Sequence, residues 1–350
     1  MLKKFLLVLL LLAFLLVAGV YLAGGWLVGV GTRAALPRLV ATVERTGLRL
    51  ARCEFSDACV RPLAQVRWEN WRVELVPPAT PANQTPNTLP VHIAALRLAF
   101  TDWSPLTADL AVEGIRLDTA FIPPAAADLP FASDEFGVAI ERIDEGFLTI
   151  GNLSIENDLR PALAALVADL QALAREGRTT RNLSLGARLH FKLKNRPLAV
   201  RLITERRDGT TWLRFNPSDI AELSQRYIRP LTAGEQQILC EHPQRALLLL
   251  RIKEYAERVA QRLSRMERAY GEDFTRHVLW SYWLTRTYGA DFAQTVTDAH
   301  EAGATDNTEA DHRQDFANNT IGRTYALAKK SEGQVLQLIK TDPKIVRVAK

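Results

Sequence analysis

Three short polar motifs hold the residue types that could do chemistry: Arg276-His277-x-x-Trp280, Asp298-Ala-His300-Glu301, and Asp315-x-x-Asn318-Asn319-x-x-Gly322-Arg323. On a helix, positions three and four apart share a face. Asp315, Asn318 or Asn319, and Gly322 or Arg323 can therefore line up, as can His277 with Trp280 and Asp298 with Glu301. A helical bundle can bring such faces to one point, which is how bundles build metal and catalytic sites. The catalytic candidates are His277, His300, Glu301, Asp315, Asn319 and Arg323. Imidazole titrates near neutrality and suits a general base or a metal ligand. A divalent metal would use His277, His300, Glu301 and Asp315. No His-Glu-x-x-His spacing, nucleophile elbow or phosphate-cradling glycine loop is present. The same residues also make a coherent internal network. Arg323 would pair with Asp298 or Glu301, Asn318 and Asn319 would cap helix ends, and His277 would bond a backbone carbonyl. A ligand or partner surface is the third reading.

The elements that must position these residues are helical from about Ser218 onward. Asn216-Pro217-Ser218 offers a cap, and Thr232-Ala-Gly-Glu235 has the form of a capping box. A long helix from about Pro243 to Ala269 turns Leu247, Leu250 and Val259 inward. Six of its basic residues, Arg251, Lys253, Arg258, Arg262, Arg265 and Arg268, alternate with Glu254, Glu257 and Glu267, which favours a solvated face with local ion pairs. The segment Ala302 to Arg313, with His312 inside it, reads as a loop that is either a lid or a connector. His242 before Pro243 marks a helix entrance, while His92 and His190 fall on strands.

From about Val66 to Phe215 the pattern is two-residue alternation instead. Val66 and Trp68 alternate, the phase slips at Asn70-Trp71, and Val73 and Leu75 resume it, consistent with a bulge. Leu96-Leu98-Phe100, Leu110-Val112 then Ile115-Leu117, Leu189-Phe191-Leu193 and Leu198-Val200-Leu202 repeat the alternation. Asp208-Gly209 suits a hairpin turn that needs positive φ. One helix, from about Asp158 to Arg175 with Leu163, Leu166, Leu170 and Leu173 at helical spacing, and a proline-rich loop, Pro77 to Pro90, interrupt the strands.

Ahead of both regions lies Phe5 to Val30, an uncharged run between Lys4 and Arg33. It is longer than a signal-peptide core and long enough to span a bilayer, so a transmembrane signal anchor is expected. Cys53 and Cys59 are close enough in sequence to pair if Ser56-Asp57 turns the chain, which would place the bulk outside a reducing cytosol. Cys240 reads as a small buried residue. The net charge of +5 arises from 44 basic and 39 acidic residues that are interspersed, which argues against nucleic acid and is compatible with nearby membrane lipids.

Two resemblances follow from these residues. Strands such as Ile93 to Phe100 and Leu110 to Asp118 joined through Trp103-Ser-Pro-Leu resemble AsmA-like envelope proteins, which implies an inner-membrane anchor, a periplasmic sheet and a role with lipids. More specifically, Leu231-Thr232 to Glu235, His242-Pro243, Gly289 and the three motifs resemble a bacterial helical domain family of unknown function, over roughly 218 to 330. That family has His where this chain has Ala317, and it supplies no activity. The expected fold class is α+β: an N-terminal transmembrane helix (1–32), a β-rich extracytoplasmic domain with one helix (33–217), an all-α domain (218–335) and a basic tail (336–350). The expected role is a single-pass bacterial inner-membrane protein, its bulk in the periplasm, serving as a binding or envelope-maintenance module without established catalysis, with membrane lipids or an envelope protein as partner. The alternative is a metal-dependent hydrolase of peptidoglycan or phospholipid.

Overall fold

The computed structural model describes residues 24–38, 40–41, 44, 49–61, 65–76, 89–103, 106–117, 138–154, 159–193, 196–226, 231–303 and 308–348. Two compact units emerge: Met1–Ala120 with Glu141–His190 and Arg201–Leu213, and Phe121–Ile140 with Phe191–Val200 and Arg214–Lys350.

In the sheet, β1 (Arg49–Glu54), β3 (Gln65–Val76), β4 (Leu89–Trp103), β5 (Leu106–Leu117), β6 (Val138–Ser154), β8 (Leu183–Leu193), β9 (Arg196–Arg207), β10 (Thr210–Phe215) and β7 (Arg178–Thr179) lie side by side in that order, with β2 (Asp57–Arg61) also on β3. The pairs from β1 to β6 are antiparallel. The phase slips seen in the sequence have one structural origin. Asn70, Gly114 and Glu145 all take left-handed φ, at 52°, 66° and 51°. The registers bring Asn70 and Gly114 to either side of Ala94, and Gly146 beside Ile115. The three form a crease that crosses four strands and reverses alternation on each. Trp68 and Trp71, and likewise Ile93 and Leu96, therefore reach one cluster with Phe55 and Ala58 despite odd spacing. Gly114 is required there, since a Cβ would stand 2.5 Å from that of Ala94. Beyond the crease, the helix α2 (Leu159–Glu176) packs Leu166, Leu170 and Leu173 on Leu110, Leu148, Ile150, Leu183 and Leu213. At this part of the sheet the apolar face is thus covered by the chain's own helix. The Asp208-Gly209 turn has both φ values positive, 47° and 74°, matching the twist of a two-residue hairpin.

The expected fold class needs correction at its N-terminus. No helix among the described residues is long and apolar enough to cross a membrane. Most of the run Phe5 to Val30 lies outside the described residues. Its last part continues into a helix, α1 (24–38), that lies on the sheet. Val28 and Leu36 pack into the Phe55–Trp71 cluster, Trp68 donates its indole N–H to Thr32 Oγ1 at 3.0 Å, and the Arg33 guanidinium sits 5.0 Å from the Phe55 ring centre. The apolar residues at 24–30 thus belong to a helix that continues past Arg33, with Val28 against the sheet and Trp26, Leu27 and Val30 exposed. The fold of the described residues is α+β, a large sheet plus C-terminal helices.

The disulfide expected between Cys53 and Cys59 is not formed, and both are free thiols, as is Cys240. Cys53 faces Val73 and Cys59 faces Arg67 in one unbroken register along β3. Six extended residues separate them by roughly 20 Å, far beyond the roughly 7 Å that a disulfide tolerates between Cα atoms. Ser56-Asp57 does not turn the chain. It continues along β3, where Ser56 donates its N–H to Glu69 O.

The second unit holds α3 (Pro217–Arg226), α4 (Ala233–Glu241), α5 (Pro243–Met266), α6 (Glu272–Tyr288), α7 (Ala290–Glu301), α8 (Glu309–Leu327) and α9 (Glu332–Thr341). The Thr232–Glu235 capping box opens α4, and proline opens α5 just after His242. On α5 the buried stripe is Ala246, Leu249, Ile252, Ala256, Val259 and Ala260. Arg251 is buried as well, unlike the exposed Arg258, Arg262, Arg265 and Arg268. His312 falls in the first turn of α8 and not in a loop, because Thr308 and Asp311 form a second capping box. Residues 336–348 are no separate tail. They complete α9, bury Ile339 and Ile345, and return to α8, where Asn318 exchanges two hydrogen bonds with the Val346 backbone.

Candidate functional site

Helices α6, α7 and α8 carry the three motifs on facing sides, and the closest approach is between α6 and α8. Gly322 permits it: a Cβ there would lie 2.3 Å from Val278 O and 2.1 Å from Ser281 Oγ. The result is a buried polar cluster centred on His277, which is 1% exposed. One ring nitrogen, Nε2, faces Arg276 Nη2 at 2.8 Å, Asp315 Oδ1 at 3.3 Å and Asp273 Oδ1 at 3.8 Å. The other, Nδ1, faces Asn319 Oδ1 at 3.3 Å and Glu301 Oε1 at 3.4 Å. A guanidinium only donates, so Nε2 accepts from Arg276 and the proton sits on Nδ1, directed at Asn319 and Glu301. Asn319 in turn donates its amide to Glu301 Oε1 at 3.2 Å. Arg276 also donates to Asp273 at 2.7 Å, and Gln314 donates to the other Asp273 oxygen at 2.8 Å.

The electrostatics of this cluster are perturbed in a consistent direction. Burial, reinforced by the positive charge of Arg276, pushes the His277 pKa well below its usual value, so the ring is neutral. Burial and the neighbouring Asp315 raise Glu301 to about 7, and burial with Asp273 raises Asp315 to about 6. Glu301 Oε2 is buried and has no hydrogen-bond partner among the described residues. Three carboxyl groups thus surround one imidazole, with Arg276 as the nearby cation. Asp273, His277 and Asp315 can each present one donor atom, all within 4.8 Å of one another, close enough for one cation to share them.

Not every residue expected in the site belongs to it. His300 is on the same helix turn as Glu301 but bonds Glu235 Oε1 at 2.6 Å, and its ring centre lies 6.3 Å from that of His277. Arg323 donates to Thr297 and Thr320 hydroxyls instead of to Asp298 or Glu301, and burial lowers its pKa. Asn318 serves the C-terminal segment. Asp273 and Gln314 were missed by the sequence reading. The signal for Asp273 was its position four residues before His277, one helical turn away on the same face.

The Glu235–His300 pair forms a second buried unit. Burial alone would raise Glu235, but the His300 bond, the positive Lys253 and the Thr232 amide outweigh it and hold Glu235 down at about 2. A carboxylate whose folded pKa lies below its unfolded value contributes stability that is complete above the unfolded value, near 4.5, and lost as pH falls toward the folded one. Stability of the helical unit is therefore expected to drop between about pH 4.5 and 2 partly through this residue. Glu235→Gln will flatten that acid limb in denaturant titrations; an unchanged limb would mean that the pair carries no pH-linked stability. Next to it lies a small apolar cleft, open to solvent, lined by Leu231, Ile238, Leu249, Lys253, Trp280 and Val296 among others. The cleft is beside the His277 cluster and not on it. Trp280 lies between them, 4.9 Å from the His300 ring and 6.4 Å from that of His277.

Fold and site together define an α+β protein whose C-terminal helices enclose a histidine–carboxylate centre. Residues 236–344 match the family described as Domain of unknown function (DUF6973). The match runs from within α4 to just past α9 and so includes the whole His277 cluster. Searches of curated proteins and of solved structures return no match.

Proposed function

We propose that the helical unit is a divalent-cation centre and that the protein is a metal-dependent hydrolase. The observation that carries this reading is the arrangement around His277. Nε2 converges with carboxylate oxygens of Asp273 and Asp315, while Nδ1–H is directed at Glu301 and Asn319. A histidine that ligates metal almost always donates its other N–H to a carboxylate or carbonyl, which fixes the ring and raises its basicity. Glu301 and Asn319 stand where such supporting groups belong. Three protein ligands leave positions open for water and substrate, and a cation bound there would activate that water. Burial first, and the closeness of Asp273, Asp315 and Glu301 second, raise the carboxyl pKa values here, and a divalent cation would relieve that repulsion.

Burial supports a second reading. His277 and Asp315 side chains are 1% and 3% exposed, as suits an internal network in a non-catalytic binding module. One titration separates the two. The full chain, stripped by chelator and titrated with Zn²⁺ and Mn²⁺ by calorimetry, should take up one cation. His277→Ala and Asp315→Asn should weaken uptake by at least about tenfold while circular dichroism remains native. Loaded protein should then hydrolyse members of a chromogenic ester panel, with activity lost in the same variants. A wild-type chain that binds neither cation eliminates the hydrolase.

A further inference from the structure

Resting on the cation-centre reading, the position of Arg276 adds a substrate class to it. Arg276 Nη2 lies 2.8 Å from His277 Nε2 and 2.7 Å from Asp273 Oδ1, two of the three atoms that would hold the cation. The guanidinium has no lone pair, so it cannot share those atoms as a ligand, and it repels a divalent ion across so short a gap. Guanidinium and cation are thus alternative occupants of the same donor atoms. Exposure shows where the displaced group goes. Side chains of Arg276 and Asp273 are 24% and 32% exposed, against 1% for His277 and 3% for Asp315, so this is the side of the cluster that opens to solvent. Gln314 is bonded to the far oxygen of Asp273, which stays anchored when Arg276 leaves.

We propose that Arg276 makes this site take a phosphate-type oxyanion: a bound cation displaces its guanidinium from His277, and the freed fork binds phosphoryl oxygens beside the cation at the mouth of the cluster. The placement of charge supports an anion. A divalent ion would engage Asp273 and Asp315, Glu301 stands 1% exposed on the far side of His277, and Arg276 is the charged group left at the opening. A planar guanidinium next to a metal ion suits a tetrahedral oxyanion, because the fork takes two oxygens side by side while the cation takes another. The substrate class is therefore a phosphate ester, and the reaction would be attack of a cation-bound water on phosphorus with departure of the ester oxygen as an alcohol, its proton supplied by that water.

The test uses the full chain, Mn²⁺ and inorganic phosphate, with acetate as a second anion. In the wild type, phosphate should bind at least about tenfold more tightly to the Mn²⁺-loaded chain than to the stripped one, and acetate should not gain. Arg276→Gln should keep Mn²⁺ binding, or improve it several-fold because a competitor is gone, and should lose the phosphate gain. Arg276→Lys should restore part of the gain, which separates anion recruitment from a folding defect. Mn²⁺ binding with an undiminished phosphate gain in Arg276→Gln overturns the role of Arg276 and leaves the cation centre standing. An equal gain for acetate overturns the phosphate class. Absence of Mn²⁺ binding in both wild type and Arg276→Gln overturns the cation centre and this inference together.

Discussion

Asp315→Asn is expected to make the metal-free protein more stable at pH 8 and, in the same step, to remove its cation. Asp315 is 2% exposed and its pKa is raised from 3.8 to about 6 by burial and by Asp273. A group whose folded pKa lies above its unfolded value favours folding below the unfolded value, and that contribution is lost as pH rises through the folded one. Above about pH 7 the ionised carboxylate is therefore held in the cluster at a cost on the order of 2 kcal/mol, which a neutral amide of the same shape avoids. At pH 5 the native side chain is largely protonated and the substitution should be close to neutral. Glu301→Gln should behave in the same direction, with its transition nearer pH 7, because burial and Asp315 raise Glu301 to about 7. Denaturant titrations of both variants at pH 5 and pH 8, with and without Zn²⁺, give the full pattern. Stabilisation confined to pH 8 and to metal-free conditions is the signature of a site whose charge crowding exists for a cation. Destabilisation of Asp315→Asn at both pH values would show instead that the carboxylate is needed by the fold.

The sequence showed better which polar residues lie together than where their cluster ends. His277, Glu301, Asp315 and Asn319 were identifiable because helical spacing puts polar residues on faces that a bundle must bury, and the structure brings these four together. His300 was grouped with them by residue type, yet its partner is Glu235. Nothing local reveals this, since Glu235 reads as the last member of a capping box. One of its oxygens does take the Thr232 amide while the other takes His300, 65 positions away. Arg251 looked like one more basic residue on a solvated helix, and only packing shows it buried. In the sheet, the slips at Asn70-Trp71 and between Val112 and Ile115 were readable on their own strands, and the one at Glu145 was not. That Asn70, Gly114 and Glu145 align into a single crease depends on register between strands, which periodicity does not encode. Hydropathy alone does not name the apolar surroundings. It measures a preference for leaving water, and the side of a sheet satisfies that preference as a bilayer does, as Val28 at the end of the apolar run does on the Phe55–Trp71 cluster.

The second large effect concerns a residue with no chemistry of its own. Gly322→Ala should destabilise the helical unit by about 3 kcal/mol or more and abolish cation binding with it. The added Cβ would stand 2.3 Å from Val278 O and 3.1 Å from Tyr282 N, both backbone atoms of α6, so no rotamer change can make room. Ser281 Oγ, 2.1 Å away, is itself bonded to His277 O and Val278 O and cannot swing clear without losing them. Only a separation of α6 from α8 relieves the clash. That separation would also part His277 on α6 from Asp315 and Asn319 on α8, which meet at 3.3 Å with little slack. Gly333→Ala is the matched control. Its Cβ would meet nothing within 4 Å, and alanine in a helix is favoured over glycine, so the control should gain up to about 1 kcal/mol. Thermal unfolding of the two variants, read beside Zn²⁺ titration, tests whether close packing of α6 on α8 is what holds the donor atoms in register. If Gly322→Ala melted with the wild type and still bound the cation, the cluster would have to be assembled by something other than this contact.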